Sequence, residues 1–250
     1  MDRSYLSHPE VVEASRQFIC ARLATYEDAA EAEFLTSVFP GPSGDLQNTV
    51  FAILDPEGKR NLVRSGRSPH WAFRTPETMA TEMKKIADRY DVEGEPKAAE
   101  LGMPYLADAR LALNVAACDA QRLAIVRGTA EQRAKLEKTL VDIAWSEDLR
   151  GKLLWVPADA DEDLPEFEGK VPSHGITVVE PHAYGTSGKV VTSIKTTKSK
   201  DMTKALAKAA ADSELGTTDS RSHIRNARRD GVHWETAVPV TDGHGRGKKR

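Results

Sequence analysis

The chain has 250 residues, of which 40% are hydrophobic and 29% charged, and a formal net charge of -3. This is the composition of a soluble globular protein with no whole-molecule attraction for nucleic acid or anionic lipid, so neither a nucleic-acid nor a membrane partner is expected, the basic C-terminal tail aside. Two cysteines far apart, Cys20 and Cys118, make neither a CxxC pair nor a metal cluster and exclude a disulfide framework, and no apolar run reaches the length of a membrane helix.

Ser7-His8-Pro9-Glu10 followed by Val11, Val12, Ala14 and Phe18 predicts a helix with proline in its first turn, where a missing N–H costs little. Residues 18–23 predict a short strand that buries Cys20 as a small hydrophobe, and residues 29–39 return to helical spacing through Ala30, Phe34, Leu35 and Val38. A Pro/Gly loop leads into residues 48–66. There the run Val50-Phe51-Ala52-Ile53-Leu54 meets the turn Asp55-Pro56-Glu57-Gly58, and Leu62-Val63 follows as an antiparallel partner. Residues 66–73, with Arg67, His70 and Trp71, read as an irregular surface linker. Thr75-Pro76-Glu77 then caps a helix whose stripe is Met79, Met83, Ile86 and Tyr90.

Residues 94–109 read as a linker ending in an apolar strap. Residues 111–118 and 123–126 are expected as strands, with Cys118 at a strand end beside Asp119. Thr129 caps a helix through about Ala144, and a strand follows from residue 151 to 157. Residues 159–167 form an acidic connection without the ligand order of a calcium loop. Residues 175–181 and 189–194 make a second two-strand unit around Gly185 and Gly188, and Ser199-Lys200-Asp201 opens a helix with Met202, Leu206 and Ala209 inward. From about residue 212 the composition turns to Ser, Thr, Asp, Arg and Gly, and the tail ends on a basic stretch at residues 243–250, expected to be partly disordered.

The order of helix, strand, helix, hairpin and helix is repeated with an added strand, which suggests an internal duplication. Residues 7–11, the strand after Phe18 and residues 51–59 resemble a thioredoxin-like domain. The half from Leu123 to about residue 211 resembles it more weakly, with Val178-Val179-Glu180-Pro181 and Gly188-Lys189-Val190 in the hairpin positions. The resemblance implies an α/β fold of tandem thioredoxin-like domains, three-layer α/β/α. Its bounds are 1–93 (lacking the first strand and the CxxC), a 94–109 linker, a degenerate 110–212 domain and a 213–250 tail.

A redox member carries CxxC at the start of the helix after its first central strand, where the helix terminus stabilises a thiolate. In the second half that place holds Arg127-Gly128-Thr129-Ala130-Glu131, and neither half has proline where the family places a cis-proline. A redox-inactive module that binds a protein or peptide is therefore expected, through sheet edges or the segment around Arg67, His70 and Trp71, with no cofactor. The alternatives are a thiol–disulfide oxidoreductase with active cysteines upstream of residue 1 or acting through Cys118, and a metal-binding protein using His174 and His182, which flank the second hairpin strand. A homodimer is compatible with the sequence. The first five residues lack the apolar core of a signal peptide, so the chain as given is expected in the cytoplasm, or in the periplasm or outside the cell if a signal segment lies upstream.

Overall fold

The computed structural model describes residues 2–41, 44–90, 97–195, 197–211, 219–233 and 235–239. The chain divides into two compact units, one of Met1–Gly94 with Trp234–Arg250 and one of Glu95–His233. The basic end at residues 243–250, with His244, lies outside the described residues, as do Trp234 and residues 91–96, which include the start of the expected linker.

In the first unit a π-helical turn, Asp2–Leu6, leads into α1 (Pro9–Ser15), and α2 (Ala29–Val38), α3 (His70–Phe73) and α4 (Pro76–Ala87) follow. Thr75 caps α4 by accepting the Thr78 N–H at 3.2 Å, with Pro76 in the first turn as its sequence predicts. Met79, Ala80, Met83 and Ile86 of α4 bury their shared stripe against Tyr5, Val11, Ala14, Ile53 and Phe73. The expected hairpin is reduced to two isolated antiparallel bridges, Phe51 with Gly66 and Leu54 with Asn61. Its turn is nonetheless specified. Asp55 accepts from the Lys59 and Arg60 amides at 2.8 and 3.1 Å, which holds its carboxyl below the usual range, and Gly58 takes φ 69°. No strand is formed at residues 18–23: Phe18 packs against the core, but Ile19 is 89% exposed and Cys20 is exposed, so Cys20 is not the buried small hydrophobe expected. Among the described residues of this unit there is no named strand, so the sheet expected for a first thioredoxin-like domain is absent there.

The second unit holds a short α5 (Ala98–Leu101), then α6 (Ala109–Asp119), β1 (Arg122–Arg127), α7 (Ala130–Ala144), β2 (Leu153–Ala158) and β3 (Glu166–Glu168). They are followed by β4 (Gly175–Pro181), β5 (Ser187–Ile194), α8 (Ser199–Ala211) and α9 (Ser220–Arg229). The strands form one mixed sheet in the order β2-β1-β4-β5-β3. β1 runs parallel to β2, with Leu123 opposite Leu154, and antiparallel to β4, with Ala124 opposite Val178. β4 and β5 are antiparallel and β3 is parallel to β5. Alternation along β1 divides the core. Ala124 and Val126 face Leu140, Ile143, Met202 and Leu206 of α7 and α8, and Leu123 and Ile125 face Ala112, Leu113 and Ala116 of α6. The result is a three-layer α/β/α arrangement consistent with a single thioredoxin-like fold.

Residues 111–118, expected as a strand, are the body of α6. Asp108 caps the helix by accepting the Leu111 amide at 2.8 Å, and Ala120 ends it in the left-handed conformation. Two further differences lie nearby. Residues 166–168 of the acidic connection form β3, and residues 220–229 of the expected tail form α9. A buried ion pair ties the layers together. Arg122 donates to the Glu180 carboxylate through Nε at 2.9 Å and through a second, shorter contact, and to the Ala209 carbonyl at 2.7 Å. Tyr105 donates to Glu137 at 2.8 Å; burial first, and that carboxylate second, hold its hydroxyl protonated far above the ordinary phenol range.

Candidate functional site

Two places were singled out by sequence as sites of chemistry, and they differ in what surrounds them. The first is the start of α7, where a redox relative would carry its cysteines. Thr129 and Gln132 close it as a capping box: the Gln132 amide donates to Thr129 Oγ1 at 3.3 Å, and the Thr129 amide donates to Gln132 Oε1 at 2.9 Å. Two amides at this helix start are thus used by the helix itself. In open α/β sheets ligands sit beyond the carboxyl ends of the strands, and that region here is occupied by the chain's own charges. Arg133 donates to the carbonyls of Gly128 and Ala158 at 2.6 and 3.1 Å and pairs with Asp159. Arg127 donates to the carbonyls of Asp159 and Glu162 at 3.0 and 2.7 Å, and Glu162 accepts the Asp159 amide at 2.8 Å. The acidic connection, expected as a solvated loop, is held at its near end by two arginines.

The cysteines are free thiols and both are exposed. Cys118 lies in the last turn of α6 next to Asp119, at the electronegative end of a helix rather than the electropositive setting of a reactive thiolate. His174 precedes β4 and His182 follows it. The intervening extended strand separates them by about 26 Å at about 3.3 Å per residue, so they do not approach each other as the metal-binding alternative requires. His182 instead contacts Ser187 Oγ at 3.0 Å and lies 3.6 Å from a Glu168 oxygen. Among the described residues no group of three or more His, Cys, Asp or Glu side chains is placed to hold a metal ion.

The second place is in the first unit, where residues 66–73 are more ordered than a linker. Pro69 and Ser68 start the single turn of α3, the His70 amide donates to Ser68 Oγ at 3.2 Å, and Arg74 leaves the turn at φ 65°. Tyr5 donates to the Arg74 carbonyl at 2.6 Å and its hydroxyl lies 3.1 Å from His70 Nδ1, so His70 braces the turn. Arg67 donates to Gln47 Oε1 and Asn48 Oδ1 at 3.2 and 2.8 Å, which ties the two ends of the bridged segment. Trp71 remains 55% exposed, with the Arg64 guanidinium 5.8 Å from its ring centre.

Trp71 forms one wall of a groove of about 450 Å³. Leu62, Arg64, Phe73 and Ile86 also line it, and Glu82 and Arg89 come from α4 and its C-terminal end. The structure therefore brings Trp71 alone of the three sequence-selected residues to the groove and gives Arg67 and His70 supporting roles. Arg64, Glu82 and Arg89 were not singled out by sequence, and Ile86 only as part of the apolar stripe of its helix. The signal for the α4 side is the series 78, 82, 86 and 89, which recurs along one side of a helix. Comparison with protein-family models, with curated proteins and with solved structures finds no match to any of them.

Proposed function

We propose that the chain is a redox-inactive thioredoxin-like protein that binds a protein or peptide, with the groove beside Trp71 as its contact surface. The observation that carries this reading is a large aromatic side chain, half exposed and near an arginine, beside a groove lined by both apolar and charged residues. Aromatic and arginine side chains are the types enriched at the energetic centres of interfaces. The redox-inactive part draws support from the capping box at the start of α7 and from the setting of Cys118. The tandem form of the reading, with residues 1–93 as a further degenerate copy, rests on the bridges Phe51 with Gly66 and Leu54 with Asn61, which lie where the sequence places its hairpin.

The test is to pan a displayed random-peptide library against the folded full chain and titrate synthetic copies of the enriched sequences by fluorescence anisotropy. Micromolar binding that Trp71→Ala weakens by about tenfold or more is expected for loss of an anchoring aromatic. Enrichment that is the same on the Trp71→Ala chain would overturn the site. A parallel assay of dithiothreitol-driven insulin reduction should show no catalysis; catalysis abolished by Cys118→Ser would favour the oxidoreductase alternative instead.

A further inference from the structure

Independently of the groove, we infer that the outward face of α9 is a binding surface for the phosphate backbone of a nucleic acid. The helix has the sequence Ser-Arg-Ser-His-Ile-Arg-Asn-Ala-Arg-Arg, four arginines in ten residues, in a chain whose formal charge is -3. Asp219 caps it by accepting the Ser222 amide at 2.9 Å. It is docked on the second unit by its other side. Tyr184 donates to Asp230 Oδ2 at 2.8 Å and its ring lies 5.2 Å from that of His223, while Ser222, His223, Asn226 and Ala227 are half-buried. This docking leaves Arg221, Ile224, Arg225, Arg228 and Arg229 exposed.

Arg221, Arg225 and Arg228 stand at i, i+4 and i+7, a single stripe about 10.5 Å long at about 1.5 Å per residue. Arg229 pairs with Asp230 at 3.1 Å, and Arg225 reaches Ser222 Oγ at 3.4 Å. Among the described residues no carboxylate pairs with Arg221, Arg225 or Arg228. The stripe is as long as about three phosphates of one strand at about 3.4 Å of axis each, and the guanidinium fork matches phosphate oxygens. A lipid surface fits less well, because a membrane-lying helix needs an apolar face and Ile224 is the one apolar side chain outward here. A protein partner fits less well for the same reason, since an interface core is depleted in charge and needs an apolar anchor.

The experiment measures anisotropy of fluorescein-labelled single-stranded RNA and duplex DNA, each of about 20 nucleotides or base pairs, with the full chain at about 50 and about 200 mM salt. With three phosphates neutralised, affinity should fall about 40-fold for the duplex, and about 18-fold for the single strand, over that range. The two probes tell which strand form the stripe prefers. Arg221→Glu/Arg225→Glu/Arg228→Glu should abolish binding with an unchanged circular dichroism spectrum, and the triple lysine variant, which keeps the charge, should retain it. Failure of both nucleic acids to bind at low salt overturns the inference. So does binding that the glutamate variant leaves intact, which would place it elsewhere on the chain, or stronger binding to phosphatidylserine vesicles or to polyglutamate.

Discussion

Replacing Gly185 by alanine tests whether α6 and the β4–β5 connection are as close as the three-layer packing requires. Gly185 has φ 65°, and a Cβ built on it would lie 2.5 Å from Asn114 Cα, 3.0 Å from the Leu113 carbonyl oxygen and 3.1 Å from Ala117 Cβ. Two of these neighbours are backbone atoms of α6, so relief requires the helix or the turn to move. Gly151 supplies the control: it has φ 72°, and a Cβ added there would meet nothing within 4 Å. Left-handed backbone costs an alanine about 1–2 kcal/mol at either site, offset by about 0.4–1 kcal/mol from the stiffer unfolded chain. Gly151→Ala should therefore lose about 1 kcal/mol. Gly185→Ala adds the overpacking cost of about 1–3 kcal/mol, for a total of about 2–4 kcal/mol. Urea unfolding followed by circular dichroism reads both, with similar slopes expected because the exposed area is the same. Equal losses in the two variants would refute the close approach of the β4–β5 turn to α6.

Glu180→Ala leaves the buried Arg122 guanidinium without its carboxylate and should cost about 2–3 kcal/mol in urea unfolding, less than a fully buried pair because Glu180 keeps contact with water; Arg122→Met should cost less than Glu180→Ala, and the reverse order would contradict the burial of this charge. The Tyr184–Asp230 contact has a defined pH window. The hydrogen bond from Tyr184, then that from Arg229, lowers the Asp230 carboxyl, so its contribution is present above about pH 4 and is lost as pH falls through the lowered value; the same bond raises Tyr184, so that contribution is lost as pH rises through a value above about 10. The Tyr184 Cζ resonance should therefore keep its protonated-phenol position up to about pH 10 and move to the phenolate position only above it, and phenolate formation below about pH 10 would count against the contact. Ellman's reagent should titrate two thiols per chain without denaturant, because both are exposed; a single reactive thiol would contradict the unstranded path of residues 18–23. Thr129→Cys/Gln132→Cys places a CxxC at the start of α7 in place of the capping box. If β1 and α7 have thioredoxin-like geometry, the pair should oxidise to an intramolecular disulfide in a glutathione buffer, and failure to form it would remove that correspondence.

The second unit was the more legible half of the fold. Thr129 with Gln132, the apolar runs 123–126 and 153–156, and the glycines of the β4–β5 connection each carry a local signal that agrees with the packed result. α6 misled because residues 111–118 are apolar apart from Asn114, and a short, largely buried run has no period that tells helix from strand; Asp108 at the cap was the deciding residue. In the first unit, Phe51, Ile53 and Leu62 look like a hairpin because their apolar side chains do serve a core, but that core is made by α1 and α4. The pairs tied by backbone bridges are Phe51 with Gly66 and Leu54 with Asn61. α9 was hidden by composition. Its docking is polar and aromatic, through Tyr184, and no hydrophobic pattern announces it.

The candidate sites were legible in proportion to how local their causes are. The absence of cysteine at residues 127–131 can be read directly, but what occupies that place in the fold depends on residues about thirty positions apart. Arg127 and Arg133 are directed onto Asp159 and the Glu162 carbonyl because β1 and β2 run parallel in register, which brings both strand ends to the start of α7. A parallel pair with a crossover helix leaves carbonyls at one end and helix amides beside them, and a redox relative fills that junction with a dithiol. Here two guanidiniums and a capping box fill it. Trp71 and the arginines of α9 stand exposed, one in each unit, and neither is marked by a local pattern: the contacts beside them, Tyr5 with His70 and Tyr184 with Asp230 and His223, join residues tens of positions apart.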